Sequence, residues 1–283
     1  MPKTYSPLRY PGGKSKLYDL VQPIISHNLY GADRTYIEPF AGGAGLALKL
    51  LHQGDIDCLV LNDIDYHIYC FWITCLHSAD VICDQITSCN VNMETWRMQK
   101  EIYQNPTQYS EPEVAFSTFF LNRCNVSGII SGGPIGGHNQ TGNYGLDARF
   151  NREDLVQKIS WIYEKRNSIN FYNLDASDFM REQLPQYGIE NTILNIDPPY
   201  IKKGPLLYRN SFSFEEHSAL AKVIGALDYK WIVTYDECDT IYNLYSDFRK
   251  EIVTLNYSVG HAKSGRELLM YSDSINLDIP LAV

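Results

Sequence analysis

Nowhere in this 283-residue chain do apolar residues run for the roughly 18 positions that a membrane-spanning helix needs. The opening MPKTYSPLRYPGG also lacks the unbroken apolar core of a secretory signal. A cytoplasmic location with no membrane partner is therefore the expectation. Paired metal or disulfide motifs are missing too. The seven cysteines, Cys58, Cys70, Cys75, Cys83, Cys89, Cys124 and Cys238, contain no C-x-x-C, and no histidines stand at zinc-ligand spacing. Cys83 and Cys89 are six apart with no matching second pair, so reduced, buried thiols fit better than a metal site, and no metal is expected. A basic surplus is absent as well: 24 Lys and Arg against 33 Asp and Glu leave a net charge of -9. That balance excludes an extended basic surface and, by itself, ranks small-molecule substrates above nucleic acid. It does not exclude a local basic groove. Arg123, Arg149, Arg152, Lys158, Lys165, Arg166, Lys202, Lys203 and Arg209 are available for one, unless they are solvated helix faces.

What the chain does have is an alternation. Apolar, β-rich runs recur at TYIEPF (35 to 40), DCLVLND (57 to 63), INFYNLD (169 to 175), NTILNID (191 to 197) and KWIVTY (230 to 235), each followed by a helical pattern. Strands alternating with helices predict a mostly parallel α/β sheet covered by helices. Helices are expected after Gly45, after Asp65, through Leu155, Ile159 and Ile162, and from Ser213, where Ser213 and Glu216 make a capping box. SGRELLMYSD (264 to 273) reads as a turn and a returning strand. The stretch 71 to 155 breaks the alternation with two expected helices and the Gly-rich SGGPIGGHNQTGNYG, and is taken as an insertion. The division expected is thus 1 to 70 with 156 to 283 as one domain and 71 to 155 as the other.

Three motifs bear on chemistry. PFAGGAG (39 to 45) lies between the apolar TYIE and the helical LALKLL, where glycines let a ligand approach backbone N–H groups at a helix start. Asp63 closes the next strand, 18 residues beyond Gly45, and suits ribose hydroxyls as in other nucleoside-binding α/β folds. A tight strand-to-helix turn would look the same in sequence. Leu48 stands where a dinucleotide fingerprint begun at Gly43 needs its last glycine, so NAD is disfavoured. YPGGKSK (10 to 16) invites a phosphate-loop reading, which fails because position 8 is Leu8 and no strand precedes it; Lys14 could instead pair with a small carboxylate.

The most specific motif is Asp197-Pro198-Pro199-Tyr200, at the end of the apolar TILNI, where open α/β sheets bind ligands. Its residue types suit an amine whose lone pair is delocalised into a ring, such as adenine N6. Asp197 and the Pro198 carbonyl can accept the two amine hydrogens and raise electron density on nitrogen. Two prolines fix φ and hold that geometry. Tyr200 offers a flat face for a base that must leave the duplex to react.

Taken in order, LRYPGGKSKL, YIEPFAGGAGLALKLL, LNDID, FFLNRCNVSGI, LNIDPPY and KWIVTYD resemble the Dam-type family of N6-adenine DNA methyltransferases over nearly the whole chain. The resemblance implies a Rossmann-like class I methyltransferase sheet of seven strands with a helical target-recognition insertion, S-adenosylmethionine as cofactor and double-stranded DNA as partner. It implies contacts to the cofactor from Tyr10, Lys14, Phe40, Gly42, Gly43, Gly45, Asp63 and Asp197, and from Asp175 unless that residue is a helix N-cap. NRCNVSGI (122 to 129) resembles the segment that grips the duplex, with Arg123, Asn125 and Ser127 at the DNA and Arg123 facing phosphate. There the chain departs from the family pattern: Dam carries an aromatic and an asparagine where Val126 and Ser127 stand, and TGNYGLDARF replaces its basic stretch. The target sequence does not carry over. Methylation of cytosine N4 or of RNA poses the same chemical problem, and a catalytically idle relative that only binds cofactor or DNA is the reading from a different class.

Overall fold

The computed structural model describes residues 4–9, 17–201, 212–257 and 263–278. Its strands are β1 (Thr35–Glu38), β2 (Cys58–Asn62), β3 (Ile169–Tyr172), β4 (Thr192–Ile196), β5 (Lys230–Asp236), β6 (Arg249–Tyr257) and β7 (Lys263–Tyr271). They form one sheet in the order β3-β2-β1-β4-β5-β7-β6. β1 runs parallel to β2 and β4, and β4 to β5, whereas β7 is antiparallel to both β5 and β6. This is the seven-stranded, mostly parallel sheet expected. The strand order reverses between β1 and β4, and in such sheets ligands bind at the carboxyl ends of the strands flanking that reversal.

The helices are α1 (Tyr18–Asn28), α2 (Gly45–Gln53), α3 (Tyr66–His77), α4 (Ala79–Ser88), α5 (Met93–Gln104), α6 (Glu111–Cys124), α7 (Arg152–Glu164), α8 (Ala176–Glu182), α9 (Phe214–Gly225) and α10 (Asp239–Leu244). Two compact units group these elements. One takes in Gly42–Gly45, Asp63–Asn173 and the N-terminal residues 4–9; the other takes in residues 17–41, Leu46–Asn62 and the described residues from Leu174 onward.

In the second unit the central strands are buried on both faces, as their near-continuous apolar sequence requires. Ile193, Leu194 and Ile196 of β4 have no exposed surface, and each such side chain contributes roughly 1.5–3 kcal/mol by burial. β6 is a strand that the sequence pattern did not disclose. As the edge of the sheet it opens on Arg249-Lys250-Glu251, and charges on a one-sided strand blunt the alternation that marks interior ones. The Ser213–Glu216 capping box is present at α9, with the Ser213 N–H donating to Glu216 Oε2 at 2.6 Å.

The first unit is helical. Every residue of α6 from Val114 to Cys124 is buried, which makes it the unit's central helix. Phe71 of α3 stacks on Phe119 at 6.1 Å between centroids, and Phe120 packs against Phe150 at 5.7 Å. Three helices, α4, α5 and α6, lie wholly within 71 to 155 where two were expected. The extra boundary comes from the single residue Ser78 between α3 and α4, a break with neither Pro nor Gly to announce it.

Candidate active site

The glycine turn leaves β1 through residues in a left-handed conformation. Gly42 has φ 46° and Ala44 φ 45°, and the second is a conformation an alanine adopts only when its surroundings impose it. The surroundings are specific. The Gly42 N–H donates to Asp63 Oδ2 at 2.8 Å, and the Gly42 carbonyl accepts the indole N–H of fully buried Trp72 at 3.0 Å. Asp63 Oδ1 accepts the Asp65 N–H at 3.0 Å, and the Asp63 carbonyl accepts Asn173 Nδ2 at 2.7 Å. Burial pushes the Asp63 carboxyl up to about 6 although both backbone N–H bonds pull it down. Each oxygen spends one lone pair on the backbone and keeps acceptor capacity. At Gly45, the first residue of α2, a Cβ would meet nothing within 4 Å.

A second cluster forms at the carboxyl ends of β4 and β5, beside the middle of antiparallel β7. Register pairs Ile196 with Val233, which sets Asp197 beside Thr234, and the Thr234 hydroxyl donates to Asp197 Oδ1 at 2.6 Å. Asp197 is half-buried, Pro198 buried, and Tyr200 half-buried with its hydroxyl donating to Glu267 Oε1 at 3.1 Å. Tyr200 lies 6.2 Å from Tyr235 between ring centroids. Tyr235, fully buried, shares a 2.9 Å hydrogen bond with His217 Nδ1. Burial lowers the His217 pKa, which favours the neutral imidazole. From His217 the aromatic series continues to Phe212 at 5.4 Å and from Phe212 to Phe40 at 6.0 Å. Aromatic faces thus run from the end of β1 to the tyrosine of the Asp-Pro-Pro-Tyr motif.

The third group, at the end of α6, is arranged differently from expectation. Arg123 is buried and spends its donors inward, Nε on the Arg149 carbonyl at 2.8 Å and Nη1 on the Pro7 carbonyl at 3.3 Å. Burial, with Arg9 nearby, lowers its guanidinium to about 10. A phosphate contact needs an outward guanidinium, and here it fastens backbone instead. Asn125 is fully buried, accepts the Trp96 indole N–H at 2.8 Å, and donates to the carbonyls of Ile129, Ile130 and Gly132. Ser127, with φ 57°, turns the loop, leaving Val126 55% exposed beside it. Asn122 closes the same network by donating to the Arg9 and Gly128 carbonyls. At Gly128, φ is 77° and a Cβ would lie 2.4 Å from the Arg9 carbonyl oxygen. Gly128→Ala is therefore expected to destabilise the protein by about 2 kcal/mol, read as a melting temperature several degrees lower; an unchanged melt would disprove the packing argument.

The chain matches the family model of D12 class N6 adenine-specific DNA methyltransferases over residues 10–259. It belongs to that family. Two solved structures of the rRNA methyltransferase AviRa from Streptomyces viridochromogenes are similar to it: one at 11% identity, covering 94% of this chain and 86% of that one with a TM-score of 0.42, the other at 10% identity, covering 94% and 87% with a TM-score of 0.43. Among curated protein sequences there is no match.

Other expected positions of the methyltransferase fall out as follows. Asp175 is the N-cap of α8, its Oδ1 accepting the Ser177 and Asp178 N–H groups at 2.8 and 3.4 Å. Tyr10, Lys14, Lys202, Lys203 and Arg209 lie outside the described residues. Of the basic residues, Arg152 donates to the Ile86 and Cys89 carbonyls, Lys158 pairs with Asp154 at 2.7 Å, and Arg166 covers the Tyr163 ring; Arg149 and Lys165 are exposed. The seven cysteines are unpaired, and among the described residues no group of three His, Cys, Asp or Glu is placed to hold a metal. Among them too, no helix is long and apolar enough to cross a membrane. Sequence reasoning missed Thr234, Glu267 and Asn122. Glu267 did leave a signal, an acid standing directly before the apolar run LLMY of a returning strand.

Proposed function

We propose that this adenine-specific DNA methyltransferase takes its methyl group from S-adenosylmethionine and delivers it to the N6 of an adenine flipped out of double-stranded DNA. The observation that carries this reading is the held geometry of the motif: Thr234 fixes Asp197 and Glu267 fixes Tyr200. An acceptor set immobilised before reaction loses little free energy to reorganisation when charge develops on nitrogen. Asp197 and the Pro198 carbonyl accept the amine hydrogens, Pro199 stiffens the motif, and Tyr200 carries the base, offsetting an unstacking cost of a few kcal/mol.

The residues around the glycine turn fit the cofactor chemically. Asp63 offers acceptor capacity to ribose hydroxyls, and the open Gly45 gives access to backbone at a helix start; Gly42, Gly43 and Phe40 would border it, with Tyr10 and Lys14 at its amino-acid end. Bound there, the cofactor supplies an electrophilic methyl. Target recognition is proposed for the 71 to 155 region, through the loop presenting Val126 and Ser127. Asn125 and Arg123 would serve that loop from beneath rather than touch DNA themselves.

The test is to incubate purified protein with labelled S-adenosylmethionine and unmethylated genomic DNA, then apply nucleoside mass spectrometry and map the modified bases. N6-methyladenine at one recurring sequence is the expected result. Modified cytosine would overturn the substrate, and cofactor binding without any product would favour an idle binding module.

A further inference from the structure

We propose that Asp236 is a further catalytic residue, the acceptor of the proton that N6 sheds once it is methylated. The inference rests on the reading of Asp197-Pro198-Pro199-Tyr200 as the seat of the amine. It starts from an anomaly. Asp236, the last residue of β5, is 5% exposed, and neither carboxylate oxygen has a hydrogen-bond partner; among the described residues no other buried carboxylate is left so. A buried charge without partners costs the fold stability and persists where a function requires it.

Its position names the function. Side chains two apart on a strand share a face, so Asp236 lies on the face of Thr234, which holds Asp197. Across the antiparallel ladder Asp236 is paired in register with Glu267, itself 2% exposed, which holds Tyr200. The two ends of the catalytic motif are thus tied to the two residues that flank Asp236, one along its strand and one across from it. Asp236 therefore stands at the same end of the sheet, and on the same face, as the residues that hold Asp197 and Tyr200.

The chemistry supplies the need. As the N6 lone pair forms the new N–C bond, the methyl–sulfur bond breaks and sulfur keeps its electron pair. Nitrogen is left with two hydrogens and a positive charge. One N–H bond then breaks, its electrons returning to nitrogen and its proton passing to an Asp236 oxygen, which gives it up to water admitted as the product leaves. Asp197, with Oδ1 committed to Thr234, orients the amine; Asp236, which has no hydrogen-bond partner and lies near enough to His217 to act on its charge, takes the proton.

The test is Asp236→Asn, which keeps the shape and removes the charge, compared with Asp236→Glu and Asp197→Ala in single-turnover methylation with excess enzyme. The expected result for Asp236→Asn is a rate at least about a hundredfold lower, S-adenosylmethionine affinity by calorimetry within about twofold of the parent, and an unchanged or raised melting temperature, since relief of a buried charge does not weaken the fold. Asp236→Glu, which restores a carboxylate, should recover at least about tenfold over the asparagine variant. A parental rate in Asp236→Asn alongside a dead Asp197→Ala overturns the inference alone. A misfolded or strongly destabilised Asp236→Asn also overturns it, by showing the carboxylate to be structural. Transfer that survives in Asp197→Ala, or is missing from the parent, defeats instead the reading on which it rests.

Discussion

Asp197→Ala is expected to lower methyl transfer by at least about a thousandfold, with the melting temperature held within a few degrees of the parent. The size follows from what the carboxylate does. The amine is a poor nucleophile because its lone pair belongs to the ring, and in the proposed reaction Asp197 draws one N–H toward itself and restores density to nitrogen. An acceptor that meets developing charge in a fixed orientation contributes more than one that must first find it, and Thr234 at 2.6 Å supplies the fixing. The fold should tolerate the change because Asp197 stands beyond the last residue of β4 and is only half-buried. Single-turnover kinetics with circular dichroism melting separate the two effects. A variant that still methylates at a tenth of the parental rate would move the chemistry away from Asp197.

Much of this was legible in the sequence because the signals are local. A strand buried on both faces is mostly apolar, so TYIE, CLVLN and TILNI announce themselves, and the Asp-Pro-Pro-Tyr motif is contiguous, four residues whose chemistry can be argued without a fold. Ser213 and Glu216 are three apart, and a capping box is a property of that spacing. What stayed hidden is long-range. Thr234 and Glu267 meet Asp197 and Tyr200 only through the register of β4, β5 and β7, and a register cannot be read from any one of those strands. Arg123 shows a different limit. A basic residue in a segment that resembles a duplex-gripping one invites assignment to phosphate, but which way a side chain on a buried helix points depends on the carbonyls around it, here those of Pro7 and Arg149. Asp236 went unremarked for a related reason: a carboxylate without a partner is visible only once every neighbour is in place.

Cofactor affinity should fall as pH drops below 6, and Asp63 gives the reason. Its carboxyl is raised to about 6 in the folded protein against an ordinary value of 3.8. Between those two values the folded chain therefore holds a proton that the unfolded chain has lost, so Asp63 makes the free protein less stable as pH rises through that window, its contribution being most favourable in acid. A ligand reverses the preference. Ribose hydroxyls donate, which favours the ionised carboxylate, so binding must expel the proton wherever one is bound. At pH 5 about one molecule in ten is ionised at Asp63, and S-adenosylmethionine should bind about tenfold more weakly than at pH 7, levelling off above pH 7. Calorimetry in two buffers of different ionisation enthalpy should show close to one proton released per cofactor at pH 5 and almost none at pH 7.5. Asp63→Asn should bind weakly at every pH and lose the proton release, while still offering one carbonyl oxygen to the Gly42 N–H. An affinity in the parent that is flat from pH 5 to 7 would mean that the cofactor makes no use of the Asp63 charge, and would return that carboxylate to the single duty of shaping the Gly42 turn.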